Sequence, residues 1–212
     1  VLNDTLWHIY PSHIALDSGF VSVDNFRIGR PHQHLCVNGK ISAREIDSCL
    51  IDLNNINVKY VLDILNFDDV EFGGMATGLV HLKNILRTPA IQTQLHVQDF
   101  TLNKALLGNA DISGCWDNEL GGIRLEAQME EKGISATHVT GYVSPKLKGL
   151  DLNIEADSMN LAFISPFVEG IFSNINARVN GNVRLYGPFK FLDFEGNVRT
   201  NFEAKIDVLN TY

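Results

Sequence analysis

Cysteine is scarce and comes as an odd set: Cys36, Cys49 and Cys115 are the only three in 212 residues. A disulfide framework is therefore not what holds the chain together. Burial as small hydrophobes is the simplest use of these residues, with a Cys36–Cys49 bridge as the alternative in an oxidising compartment. Long apolar runs are missing too: nothing approaches the ~18 residues of a membrane-spanning helix. Basic charge is in deficit, 17 Lys and Arg against 25 Asp and Glu, for a net charge of −8. Nucleic acid is excluded as a partner, because phosphate binding needs a basic stripe. The same balance argues against a patch for an anionic membrane surface. There is no initiator methionine or signal-like stretch at Val1, and Tyr212 falls in mid-pattern. The chain is expected to be a piece of something longer, with any membrane anchor elsewhere.

Catalytic signatures are equally absent. The chain has no glycine-rich phosphate loop, no G-x-S-x-G, no C-x-x-C, no H-E-x-x-H and no EF-hand spacing. No enzymatic activity, cofactor or metal is expected. His32, His34 and Cys36 stand at i, i+2 and i+4, a spacing that on one strand could converge on zinc. Pro31 before them, however, suggests the mouth of an edge strand, where polar histidines are common. Asp68, Asp69 and Glu71 precede Gly73-Gly74 and read as a solvated turn rather than calcium ligands. Asp151, Asn153, Glu155 and Asp157 read as the wet side of a strand. Trp7 and Trp116 suggest core packing before sugar stacking.

What the chain does have is strict alternation. Ile91, Thr93, Leu95 and Val97 interleave with Gln92, Gln94, His96 and Gln98. Ile123 to Met129, Leu150 to Ala156, Ala177 to Leu185 and Phe202 to Val208 follow the same rule. Period two over this length means strands with one wet and one dry face. Helical spacing interrupts it twice, and short helices are expected near 58–66 and 163–172, with Ser165-Pro166 as cap and first turn of the second.

The two halves also resemble each other. Adding 103 carries Asn57, Val58 and Tyr60 onto Asn160, Leu161 and Phe163, and Gly78, Val80 and Leu82 onto Gly181, Val183 and Leu185. Upstream an offset of 102 carries Gly39, Ile41 and Ser42 onto Gly141, Val143 and Ser144. A tandem of β units, 1–104 and 105–212, sharing one continuous sheet and stacking into an elongated protein, is expected. One parity of each strand is then the candidate functional face: Val37, Ile41, Val80, Leu82, Leu95, Ile123, Leu125, Ile154, Val179, Val183, Leu185 and Val198. An open face this apolar needs an apolar partner, whether a second sheet, a polypeptide or a lipid.

The residues from 137 onward carry a resemblance. Gly141 with Ser144-Pro145, Leu150-x-Leu152, Asn160-Leu161 with Pro166-Phe167-Val168, the Val179-x-Gly181-x-Val183-x-Leu185-x-Gly187 strand and Phe194-Glu195-Gly196-x-Val198 resemble the C-terminal region of TamB/AsmA-like proteins in their Bacteroidetes version. Residues 6–41 and 76–95 follow the same rhythm more loosely. One departure is that Phe191-Leu192-Asp193 stands where the family pattern has a proline. The resemblance implies an all-β fold, an elongated antiparallel sheet folded lengthwise into a U-shaped half-pipe, the β-taco. It also implies a place in the periplasm of a Gram-negative bacterium, in a parent anchored in the inner membrane. Its partners would be phospholipid and a TamA-type outer-membrane barrel, and its work phospholipid transport for outer-membrane biogenesis. The alternative within the same family is a chaperone or scaffold for outer-membrane β-barrel assembly. A glycan-binding β domain is the more distant alternative, since the wet face is mainly Asn, Gln and short charged residues rather than aromatics.

Overall fold

A computed structural model describes residues 6–60, 71–131, 135–167, 172–189 and 191–206. The alternation resolves into thirteen strands: β1 (His8–Ile9), β2 (His13–Asp17), β3 (Phe20–Arg30), β4 (Gln33–Ser42), β5 (Ser48–Asn57), β6 (Phe72–Lys83), β7 (Ala90–Leu102), β8 (Ala105–Asp117), β9 (Gly122–Glu131), β10 (Ser135–Ser144), β11 (Gly149–Asn160), β12 (Phe172–Pro188) and β13 (Asp193–Ile206). They form a single antiparallel sheet in chain order, except that β1 and β2 both pair with β3. Pro11 lies between those two short strands, where it breaks the edge because it cannot donate to a ladder. The chain is therefore all-β and antiparallel. The sheet runs uninterrupted through residue 104, since β7 and β8 pair directly.

Helix is almost absent. Residues 58–60 form a helical turn, and the rest of the 58–66 expectation lies outside the described residues. The second helix is a 3-10 helix, Leu161–Phe167, which begins two residues before the expected position. Ser165 is not its cap. Asn160 is: its Oδ1 accepts the Ala162 N–H at 2.9 Å, while the Ser165 hydroxyl donates to the Ala162 carbonyl at 2.7 Å. Asn57 caps the first turn in the same way, accepting the Lys59 N–H at 3.0 Å. An asparagine carbonyl satisfies orphan donors that a helix start leaves open.

Bulges supply the bend. In β3, β5, β7 and β11 two residues oppose one on the next strand, with Asn25, Asn55, Asp99 and Ser158 in the left-handed region at φ of 50, 55, 50 and 50°. The extra N–H is taken up by the side chain across the gap. Asn55 donates to Thr77 Oγ1 at 3.0 Å, Asp99 to Asn109 Oδ1 at 3.1 Å and Ser158 to Asn180 Oδ1 at 2.9 Å. Asn55 and Ser158 are 103 residues apart, as are Thr77 and Asn180. Gly78 and Gly181, also 103 apart, have φ of 151 and 137°, and a Cβ on either would collide with the carbonyl oxygen of Gln94 or Asn197 on the neighbouring strand. Such bulges and glycines twist and bend strands locally.

The bend is visible in one contact. Asn160 at the end of β11 donates from Nδ2 to the Leu106 carbonyl of β8 at 3.2 Å. Those strands are three positions apart, roughly 14 Å along a flat sheet, so the sheet curls there. Asn103, in the β7–β8 turn, donates to the Phe163 carbonyl of the 3-10 helix at 3.0 Å. Into the curl go Ala76, Val97, Leu107, Ala110, Ala127, Met129 and Val139, the buried core, with Val58, Phe100 and Phe163 packed against it. The core thus fills one end of the strands, where the helical segments are. The other end carries turns, with Cys49 and Ser144 buried beside them and the rest of its apolar row half-buried.

Candidate functional site

Register turns the alternation into rows. Ile28, Leu35, Leu53, Gly78, Leu95, Ile112, Ala127, Val139, Ile154, Val183 and Gly196 are successive cross-strand partners from β3 to β13 without a break. A second row beside it runs from Val37 through Ile51, Val80, Thr93, Gly114, Leu125, Gly141, Leu152 and Leu185 to Phe194. A third, nearest the turns, includes Leu82 with Ile91, and Trp116 with Ile123, Val143 and Leu150. Cross-strand partners share a face, so the sheet has one continuous apolar side.

All twelve face residues chosen from the sequence lie on this side. Val37, Val80, Leu125 and Leu185 share one row, and Leu95, Ile154 and Val183 share another. Leu82 and Ile123 belong to the row near the turns, and Ile41, paired with Val21, lies beyond it. Val198 sits opposite Gly181, on the edge strand, and is 46% exposed. Val179 differs from the rest: it is only 2% exposed, in the filled end. Sequence reading passed over Ile28, Leu53, Ile112, Val139 and Leu152, which belong to the same rows. Alternation carried that signal, but the bulges shift parity within a strand, so Leu53 and Ile56 face the same way three residues apart. Trp116, expected in a core, stands half-buried on the apolar face just inside the turns.

The opposite face is polar and held by ion pairs. Arg184 on β12 makes a two-pronged contact to Asp151 on β11, both arms 2.8 Å, and reaches Glu195 on β13 at 3.2 Å. The Arg184 guanidinium holds the Asp151 carboxyl below the usual carboxylate range. Asp117 is lowered too, first by the Leu120 backbone N–H and then by Arg124, 2.6 Å away. His96 Nδ1 lies 2.7 Å from Asp111 on this exposed side. The acidic run Asp151, Asn153, Glu155 and Asp157 belongs here, as the alternation implies.

The remaining candidates come apart. His32 sits in the β3–β4 turn at φ 68°, out of strand register with His34 and Cys36. β4 is moreover an interior strand, paired on both sides, rather than an edge. Among the described residues no three His, Cys, Asp or Glu gather as a metal site would require. Asp68 and Asp69 lie outside the described residues, and Glu71 approaches Lys104 at 3.9 Å. Cys36 pairs with Asp52 on the polar face and Cys49 with Gly39 on the apolar one, so a bridge between them would have to pass through the sheet. All three cysteines are free, and burial pushes the Cys49 thiol up. Trp7 packs edge-on against Tyr60, with ring centroids 6.3 Å apart.

No protein-family model, curated protein or solved structure matches the chain.

Proposed function

We propose that this chain carries phospholipid acyl chains along its apolar face, as a segment of a TamB/AsmA-like bridge between the two membranes of a Gram-negative cell. In this reading the curled sheet is folded lengthwise into a U, the β-taco, open towards the turns. The segment lies in the periplasm, while the parent protein is anchored in the inner membrane and meets a TamA-type barrel at the outer one. The observation that carries the reading is the row from Ile28 to Gly196. A hydrocarbon chain on such a face leaves water at about 0.8 kcal/mol per methylene, and neighbouring positions of like character allow it to slide rather than lodge. The chemistry is binding and passage, with no bond made or broken.

A second reading is favoured by the β13 edge. Phe194 and Val198 are 80 and 46% exposed on β13, a strand of 14 residues that ends the sheet order. An edge of this kind accepts an added strand, which is what a scaffold for outer-membrane β-barrel assembly would use.

The discriminating experiment is photo-crosslinking with phospholipid, coupled to mass spectrometry of the lipid extracted with the purified protein. A probe at Val183 or Leu185 should label lipid, and one at Asn182, on the polar face, should not. Val183→Asp should leave the chain folded and empty of lipid. Equal labelling at Asn182, or a Val183→Asp protein that melts with the wild type and still loads lipid, would overturn the proposal.

A further inference from the structure

Resting on the lipid reading, we infer that the bound phospholipid has a fixed polarity: its anionic headgroup lies at the turn end of the strands, and its tails point toward the 3-10 helix. Three independent features converge on this. The first is space. The end beside the 3-10 helix is occupied by protein, with Val97 and Ala110 each 1% exposed, whereas at the turn end Leu82, Ile91, Trp116, Ile123, Val143 and Leu150 remain half-buried and Cys49, beside Leu82, is the one buried member of their row. From that row to the filled end is three steps of two residues, roughly 20 Å of strand. A single leaflet of hydrocarbon is roughly 15 Å thick, so one set of tails fits along the strands and its headgroup must emerge at the turns.

The second feature is charge. Across β6 to β11 the turn end carries Lys83, Arg87, Lys146 and Lys148 against Glu119, while Asp117 is already matched by Arg124. The other end of these strands carries Glu71, Asp99, Glu130, Glu131 and Asp157 against Lys104, which lies 3.9 Å from Glu71. The chain-wide charge of −8 conceals this separation. The third is the composition of the rim. Leu86 and Leu147 stand 60 and 56% exposed at the tips, beside those cations, a mixture typical of segments that sit at a lipid interface. Trp116 stands one row inside, at the level where an indole meets the boundary between headgroup and tail.

Trp116 also supplies the test. In a Trp7→Phe background it is the only tryptophan. The protein is loaded with phosphatidylglycerol brominated either near the top of its acyl chains or near their ends. Quenching of Trp116 should be stronger with the shallow bromines. Lys146→Gln with Lys148→Gln should lower the preference for phosphatidylglycerol over phosphatidylcholine roughly tenfold, while the quenching order stays the same. Equal quenching at both depths, or stronger quenching from the deep bromines, overturns the polarity. An unchanged lipid preference in the double variant overturns the headgroup contact. If neither lipid quenches and no phospholipid is extracted, the lipid reading itself falls.

Discussion

The two ends of the same strands make the instructive comparison. On β7 the apolar residues Ile91 and Val97 obey one alternation and share one face, yet Val97 is 1% exposed and Ile91 is half-buried. Nothing in the strand distinguishes them. What differs is what crosses above them. At the Val97 end the chain inserts the 58–60 turn and the 3-10 helix between strands, Asn103 and Asn160 tie neighbouring layers together, and the sheet curls. At the Ile91 end it makes short turns that bury Ser144 and leave Ile91, Leu82 and Trp116 half-buried. Alternation states which side is dry, and the connections state how much of it is already occupied.

The largest expected effect breaks the comparison directly. Val97→Asp places a carboxylate between Ala76 and Ala110 with no partner, and should cost more than about 3 kcal/mol and unfold the chain. Leu82→Asp, on the same face near the turns, should cost only about 1 kcal/mol because water still reaches the side chain. Thermal melting of the two variants side by side is the measurement. Equal destabilisation would mean that the turn end is core like the other, and that no part of the face is free for a ligand.

Much of this was legible beforehand, for a physical reason. Strand alternation is local, so β7, β9, β11 and β12 and the side of each that is dry could be read directly. Residues that the offset of 103 pairs in the sequence do like jobs in the fold: Asn57 and Asn160 each cap a helical turn, and Gly78 and Gly181 each stand at positive φ. The rows were not legible, because they depend on register, and register depends on bulges that a pattern of twos does not reveal. Nor was the filled end, since the Asn160–Leu106 bond joins residues 54 apart. Cys36 and Cys49 illustrate the same limit: their separation in sequence permits a bridge, and only the intervening sheet forbids it.

A smaller effect sharpens the account of how the filled end closes. Asn160→Ala removes both the cap of the 3-10 helix and the bond to Leu106 across the curl. Asn57→Ala, its counterpart in the first half, removes a cap. The first variant should lose about 2 kcal/mol and the second about 1, measured by denaturant titration. If the two cost the same, the Asn160–Leu106 bond contributes nothing to holding the curl.

The smallest effect belongs to the polar face, and it tests whether that face is indifferent to the ligand. Arg184 lies on β12 between Asp151 and Glu195, so it links three strands, but the cluster is open to water, with the Arg184 side chain 45% exposed. Exposed pairs of this kind contribute little, because solvent screens them. Asp151→Asn should therefore lower the melting temperature by roughly 2 °C or less at neutral pH. The pH dependence has a definite sign. The Asp151 carboxyl is depressed in the folded chain by the Arg184 guanidinium, so its contribution is fully present above the ordinary carboxylate value of about 3.9. It is lost as pH falls through the lower folded value. Wild type and Asp151→Asn should accordingly differ at pH 7 and converge in acid below that ordinary value. A difference that widens in acid would show that the carboxyl is not held down by Arg184. Lipid recovered with the variant should match the wild type, since Asp151 and Val183 stand on opposite sides of the sheet. A loss of lipid from this variant comparable to that from Val183→Asp would mean the two faces are coupled, and that the apolar side alone does not define the site.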